Sequence, residues 1–148
     1  MNPKELIQKL RESTGAGIME CKKALEKSKN DFEKALNLLK KQGRLKAGQK
    51  KERKTGAGFL EAYIHNQRVG VLLEIRSETD FVSRSPIFKE LAHEITLQIA
   101  AMAPADISEL LKQLYIKNES LTIADLINQT IAKVGENIQV ERFCRYEI

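Results

Sequence analysis

At 148 residues, with 42% hydrophobic and 30% charged residues, the chain can fold as one ordinary domain or as a small module followed by a compact one, and wholesale disorder is excluded. Its apolar runs, such as Val71-Leu72-Leu73 and Ile99–Ala103, are far too short for a membrane-spanning helix. The net charge of +5 is unevenly spread: residues 1–54 carry 16 Lys/Arg against 7 Asp/Glu, and residues 55–148 carry 9 against 13.

Residues 1–43 predict three short helices. Asn2 is placed as an N-cap, with Pro3 at the first helical position and Glu5 spaced to close a capping box. Leu6, Ile7 and Leu10 share a face before Thr14-Gly15-Ala16-Gly17 breaks the pattern. The second helix takes Ile18, Met19, Ala24 and Leu25 as its apolar positions. Asn30-Asp31 caps a third with Phe32, Ala35, Leu36 and Leu39, and Gly43 suits the position after its end. Residues 44–55 then predict a basic linker, helical in part. Counted from Lys40 to Lys54, the run holds 8 basic residues and one acid, Glu52.

Residues 56–148 predict an α+β domain, a small antiparallel sheet packed with helices. Gly56–His65 and Arg68–Arg76 form two strands around Asn66-Gln67, and Val69, Val71, Leu73 and Ile75 alternate at the period of a half-buried strand. Ser85-Pro86 opens a long helix closed by Pro104, Ala105–Tyr115 forms another, and Thr122 with Asp125 caps a further one ended by Gly135. In the final strand Ile138, Val140, Cys144, Tyr146 and Ile148 fall on one face.

Enzymatic groupings do not assemble, so neither catalysis nor a bound cofactor or metal is expected. The only histidines are His65 and His93, and His93-Glu94 lacks a second zinc ligand because position 97 is Leu97. Gly56-Ala57-Gly58 lacks the third glycine and the strand-before-helix context of a dinucleotide loop. Cys21 has no histidine neighbour, and with Cys144 it makes two distant reduced thiols, not a disulfide framework. Two binding functions remain. The basic run could neutralise phosphates of an RNA, although it contains no aromatic for base stacking. Protein-surface binding fits better: Thr79-Asp80-Phe81-Val82 sets a carboxylate beside a phenyl ring at a strand-to-helix corner, where chain usually faces solvent. Ile18 and Met19, directly after the double-glycine turn, either fill the three-helix core or face a partner.

Three blocks carry a family resemblance: Thr14–Leu25 (TGAGIMECKKAL), Glu78–Val82 (ETDFV), and Gly135–Ile138 with Arg142-Phe143. With them the chain resembles the elongation factor Ts family. The resemblance implies a ubiquitin-associated-like N-terminal domain at residues 1–43, and a core at 56–148. It implies a cytoplasmic guanine-nucleotide exchange factor for elongation factor Tu, without a membrane or direct nucleic-acid role. Asp80 and Phe81 would intrude between helices of the Tu G domain and displace groups holding Mg²⁺, with Thr79 and Val82 shaping the corner. Arg11, Ile18, Met19 and Lys22 would dock the N-terminal module on the same G domain. The chain is shorter than long members, and even compact members carry a longer stretch than Ala103–Leu121. Compact members resemble half of the long core, which implies a homodimer. A C-terminal strand exposing Cys144 and Tyr146 would supply the interface.

Overall fold

The computed structural model describes residues 2–148. The side chain of Asn2 accepts from the Lys4 amide at 3.2 Å and Glu5 reaches back to the Asn2 amide at 3.3 Å, so helix α1 (Pro3–Thr14) begins with the expected capping box. Gly15 ends it in the left-handed conformation at φ 67, which favours glycine, with the mobile end of the Lys133 side chain lying against it. In α2 (Ile18–Lys27) the Glu20 carboxylate accepts from the Gly17 amide at 3.2 Å. Asp31 caps α3 (Phe32–Lys50) through the Lys34 amide at 3.1 Å. One face of each helix then closes a small core of Leu6, Leu10, Cys21, Ala24, Leu25, Ala35, Leu36 and Leu39.

The third helix does not stop before Gly43, as its sequence suggests, but runs on to Lys50. Lys, Arg, Gln and Ala are good helix formers, and tertiary contacts hold this extension in place. Ala47 is buried in the second core, Arg44 pairs with Asp125 at 3.0 Å, and Lys46 pairs with Glu20. Of the expected linker 44–55, only the part after Lys50 is non-helical.

Strands β1 (Ala57–His65) and β2 (Val69–Ser77) pair antiparallel with His65 opposite Val69, so the turn has three residues, Asn66-Gln67-Arg68, one more than expected, and Asn66 and Gln67 take positive φ values of 50 and 53. A single turn of helix, α4 (Asp80–Ser83), follows, and then α5 (Pro86–Met102), capped by Ser85 and ended by Ala103 at φ 44. The helix expected over Ala105–Tyr115 is confined to α6 (Ile107–Lys112); the chain then forms a small hairpin of β3 (Leu114–Tyr115) and β4 (Asn118–Thr122). The cause is Gln98, fully buried on α5. Its side chain donates to the Leu114 carbonyl at 3.1 Å and accepts from the Ile116 amide at 3.0 Å, capturing backbone groups that a helix would have used. The Tyr115 hydroxyl, donating to Glu94 at 2.7 Å, fixes the same segment.

Thr122 and Asp125 cap α7 (Ile123–Val134) reciprocally, and β5 (Ile138–Glu147) joins β2 antiparallel, giving the order β1-β2-β5. Ile75 faces Val140 while Glu74 faces Arg142, so Glu141 is an extra residue. Such a bulge reverses which side chains face inward. Ile138 and Val140 therefore share the inner face with Phe143, whereas Cys144 and Tyr146 point outward; the single face expected from strict alternation is corrected. Helices cover the inner face, burying Leu73, Ile75, Phe88, Ile95, Ile99 and Ile123 completely. The class is α+β, as expected: among the described residues, seven helices, one three-stranded sheet and one two-stranded sheet.

Candidate functional site

The corner after β2 is built from short polar side chains. The hydroxyl of buried Ser77 donates to the Thr79 carbonyl at 2.9 Å. Thr79 is extended (φ −127, ψ 154) and its hydroxyl oxygen accepts from the Val82 amide at 3.4 Å, capping α4. Ser83 Oγ donates to the Asp80 carbonyl at 3.2 Å, and Ser85 Oγ to the Val82 carbonyl at 2.7 Å. Of the four residues singled out in sequence, Val82 is buried at 6% exposure and roots the turn; Thr79, Asp80 and Phe81 face solvent, with the Phe81 ring 87% exposed.

The α7–β5 turn braces this corner. Gly135 (φ 75) ends α7, and the next residue, Glu136, accepts from the Thr79 amide at 2.9 Å and its hydroxyl at 2.8 Å. In return Glu78 accepts from the Asn137 amide at 2.8 Å and pairs with Arg53 at 3.6 Å. The buried Asn137 side chain donates to the carbonyls of Lys51 (3.3 Å) and Arg53 (2.9 Å), tying down the segment that leaves α3. Sequence places Gly135–Ile138 only at the start of the closing strand. The one local signal for a further role is two polar residues directly after a helix-ending glycine.

A second exposed cluster lies on the N-terminal bundle. Ile18 and Met19 are 55% and 61% exposed, which decides between core and surface for both; Cys21, Ala24 and Leu25 fill the core instead. Arg11 and Ile18 line a shallow groove with Lys4, Ile7 and Lys133 of α7, and Lys22 follows Ile18 one turn along α2. Among the described residues no hydrogen bond or ion pair joins this cluster to the corner. The bundle itself is pinned to the second core: Lys40 donates to the Ser120 carbonyl at 2.6 Å, Gln129 to the Ser13 carbonyl at 3.0 Å, and Arg44 pairs with Asp125. Burial pushes the Asp125 carboxyl up, but the Thr122 amide and the Arg44 guanidinium outweigh it and hold the group below the usual aspartate range. Glu20 is likewise lowered, chiefly by Lys46. Lys40, Arg44, Lys46 and Arg53 of the basic run are thus engaged within the chain.

The third exposed feature is the outer face of the sheet. Ala62, Leu72 and Cys144 lie side by side across the three strands, as do Ile64, Gly70 and Tyr146. Leu60, Ile64, Leu72 and Tyr146 are 61%, 64%, 44% and 76% exposed, and Cys144 is an exposed free thiol. Glu74, bonded to Arg142 and Arg76 at 2.9 Å each and lowered by both, ends this strip. Cys21 is buried, which pushes its thiol upward and away from nucleophilic use. His93 stands at the surface, 4.0 Å from Glu61 and edge-on to Tyr63. Among the described residues no three His, Cys, Asp or Glu side chains gather as metal ligands, and no helix is long and apolar enough to cross a membrane.

These features define a small α+β protein in which a three-helix bundle is pinned to a helix-covered antiparallel sheet. A family model described as Elongation factor TS matches residues 78–148. The chain is 42% identical to elongation factor Ts of Thermotoga neapolitana, over 97% of this chain and 95% of that protein. It is 42% identical to elongation factor Ts of Thermotoga maritima (97% and 94%) and 40% identical to that of Methylacidiphilum infernorum (97% and 93%). The chain therefore belongs to the elongation factor Ts family of translation elongation factors. The first of these alignments runs over 188 positions while this chain has 148 residues, so that relative carries residues that this chain lacks.

Proposed function

We propose that the protein is a guanine-nucleotide exchange factor for elongation factor Tu, acting in the cytoplasm: it binds Tu·GDP, disturbs the Mg²⁺ site of Tu and promotes GDP release so that GTP can bind. The observation that carries this is Phe81, 87% exposed on a capped and braced single turn of helix. Leaving a phenyl ring in water stabilises nothing in the free protein; burying it against a partner contributes about 2–3 kcal/mol. Asp80 beside it supplies directed polar contact or repulsion. Mg²⁺ and the GDP phosphates hold each other strongly, so shifting the groups around the ion weakens nucleotide binding without covalent chemistry. By reciprocity, whatever the factor does to nucleotide affinity, nucleotide does to the factor, so incoming GTP releases it.

The two parts divide the work. The bundle (residues 1–43) docks on the G domain through Arg11, Ile18, Met19 and Lys22, while the core (56–148) presents the corner. The test is stopped-flow release of fluorescent GDP from Tu. Wild-type protein is expected to accelerate release, and Phe81→Ala to lose about thirtyfold of that acceleration, the kinetic equivalent of the ring's burial. Unchanged release alongside RNA binding with a steep salt slope would favour the RNA-binding alternative.

The outer sheet face supports a homodimer. Leu60, Ile64, Leu72 and Tyr146 form an apolar strip flanking Cys144 on a sheet face that no second layer covers among the described residues. Two copies stacked face to face would cover it as a β-sandwich does. Ile64→Arg is expected to yield monomers; a monomer mass for the wild-type protein at micromolar concentration would sink the idea.

A further inference from the structure

Helix α4 is too short to hold its own geometry, since one hydrogen-bonded turn does not repay the ordering of its residues. Its direction must come from outside. Buried Val82 and Ser83 fix its base. Its other end is fixed by Glu136, 57 residues away in sequence, whose two carboxylate oxygens take the amide hydrogen and the hydroxyl hydrogen of Thr79 at 2.9 and 2.8 Å. Two donors on one carboxylate set orientation as well as distance. Ser77 holds the Thr79 carbonyl from the other side, so the capping residue is gripped at its N–H, its hydroxyl and its carbonyl. The gripping turn is itself stiff, because Asn137 is 3% exposed and bonded to Glu78, Lys51 and Arg53.

We propose that Glu136 is a positioning residue for nucleotide exchange: it locks Thr79 so that Asp80 and Phe81 reach the partner already in their working orientation. This rests on the exchange-factor role proposed above. A ring on a mobile corner must be ordered during binding, and that ordering opposes the step in which it is driven into the partner. Docking through Ile18 and Met19 does not involve this turn. Loss of Glu136 should therefore lower the rate at saturation and leave the concentration dependence nearly intact.

GDP release from Tu, measured over a range of factor concentrations, reads both quantities. Glu136→Ala is expected to lower the saturating rate about tenfold while the half-saturating concentration stays within about twofold. Glu136→Gln, whose single amide oxygen keeps only one of the two Thr79 bonds, should fall between wild type and Glu136→Ala. Thr79→Ser keeps both donors and should behave as wild type, and Thr79→Val should resemble Glu136→Ala. A saturating rate within about twofold of wild type in Glu136→Ala overturns the proposal, as does a loss confined to the half-saturating concentration. Amide hydrogen exchange of the free protein supplies a readout independent of Tu: Glu136→Ala should speed exchange at Thr79 and Val82 at least about tenfold while Leu73 and Ile75 keep their protection. Unchanged protection at Thr79 also overturns the proposal, and Glu136→Asp, whose carboxylate is one methylene short of both donors, provides the same readout at Thr79 should Glu136→Ala fail to fold. If wild-type protein leaves GDP release unchanged, the exchange-factor role falls and this one with it. Faster exchange at Thr79 in the variant would then show that the brace exists and that the partner, not Glu136, was wrongly assigned.

Discussion

The N-terminal bundle closes its core with eight side chains, of which Cys21, Ala24 and Ala35 are small, and no fully buried aromatic is among them. The second core has Phe88 at zero exposure, edge-on to Phe59 at 6.5 Å, surrounded by Leu73, Ile75, Ile95 and Ile99. Apolar burial therefore dominates the second core, whereas the bundle depends more on end-caps and on polar contacts to α7. Burial is insensitive to pH and salt; carboxylate pairs and caps are not. The bundle is therefore the more readily adjusted half, even though it is packed against the firmer one.

Truncation within the second core should have the largest effect. Phe88→Ala is expected to cost about 3–5 kcal/mol, as deletion of a buried ring with its cavity does. Urea unfolding followed by circular dichroism would record it as a large fall in midpoint. Leu10→Ala in the bundle should cost about 2–4 kcal/mol, since the side chain is fully buried but its small neighbours allow partial collapse. A shift of one shared transition by both variants would show that the two cores unfold as a single unit. Loss of amide protection in α1–α3 of Leu10→Ala, with β2 still protected, would show that the bundle opens on its own.

Acidification tests the polar side of the contrast. Asp125 is lowered in the folded protein relative to its ordinary value, so its contribution is fully present above that value, about 3.9, and is lost as pH falls toward the folded one. Glu20 follows the same sign through Lys46. As pH falls below about 4, then, the bundle should loosen from α7 before the sheet core yields. Asp125→Asn should cost about 1–2 kcal/mol at neutral pH and flatten this pH dependence, read from bundle amide exchange. An unchanged pH profile in the variant would place the docking energy in contacts other than Arg44–Asp125.

What could be read in the sequence follows the range of the forces involved. Asn2, Asp31, Ser85 and Thr122 cap helices through bonds to residues two or three positions away, so composition and spacing were enough to find them. The exposed corner at Asp80-Phe81 is legible for the same reason. The β3–β4 hairpin was hidden because Gln98 captures backbone 16 and 18 residues away, a contact no local pattern encodes. The bulge at Glu141 was hidden because an extra residue shows only against its partner strand, and it reversed the inward-facing set after Val140. Glu136 was hidden most completely, since its partner lies across the sheet end and its own neighbourhood is an ordinary helix-to-strand turn.

The smallest effect on stability belongs to the residue on which the proposed function most depends. Phe81 contributes to neither core and is 87% exposed, so Phe81→Ala should change the unfolding free energy by less than about 0.5 kcal/mol. Val82, one residue on and 6% exposed, provides the contrast: Val82→Ala should cost about 1–2 kcal/mol because its methyls root the turn in the second core. Unfolding midpoints of the two variants side by side separate a ring held out for a partner from one that supports the fold. A destabilisation by Phe81→Ala matching that of Val82→Ala would mean that the ring folds back onto the protein in solution. The corner would then have to open before it could act, and the preformed geometry braced by Glu136 would lose its purpose.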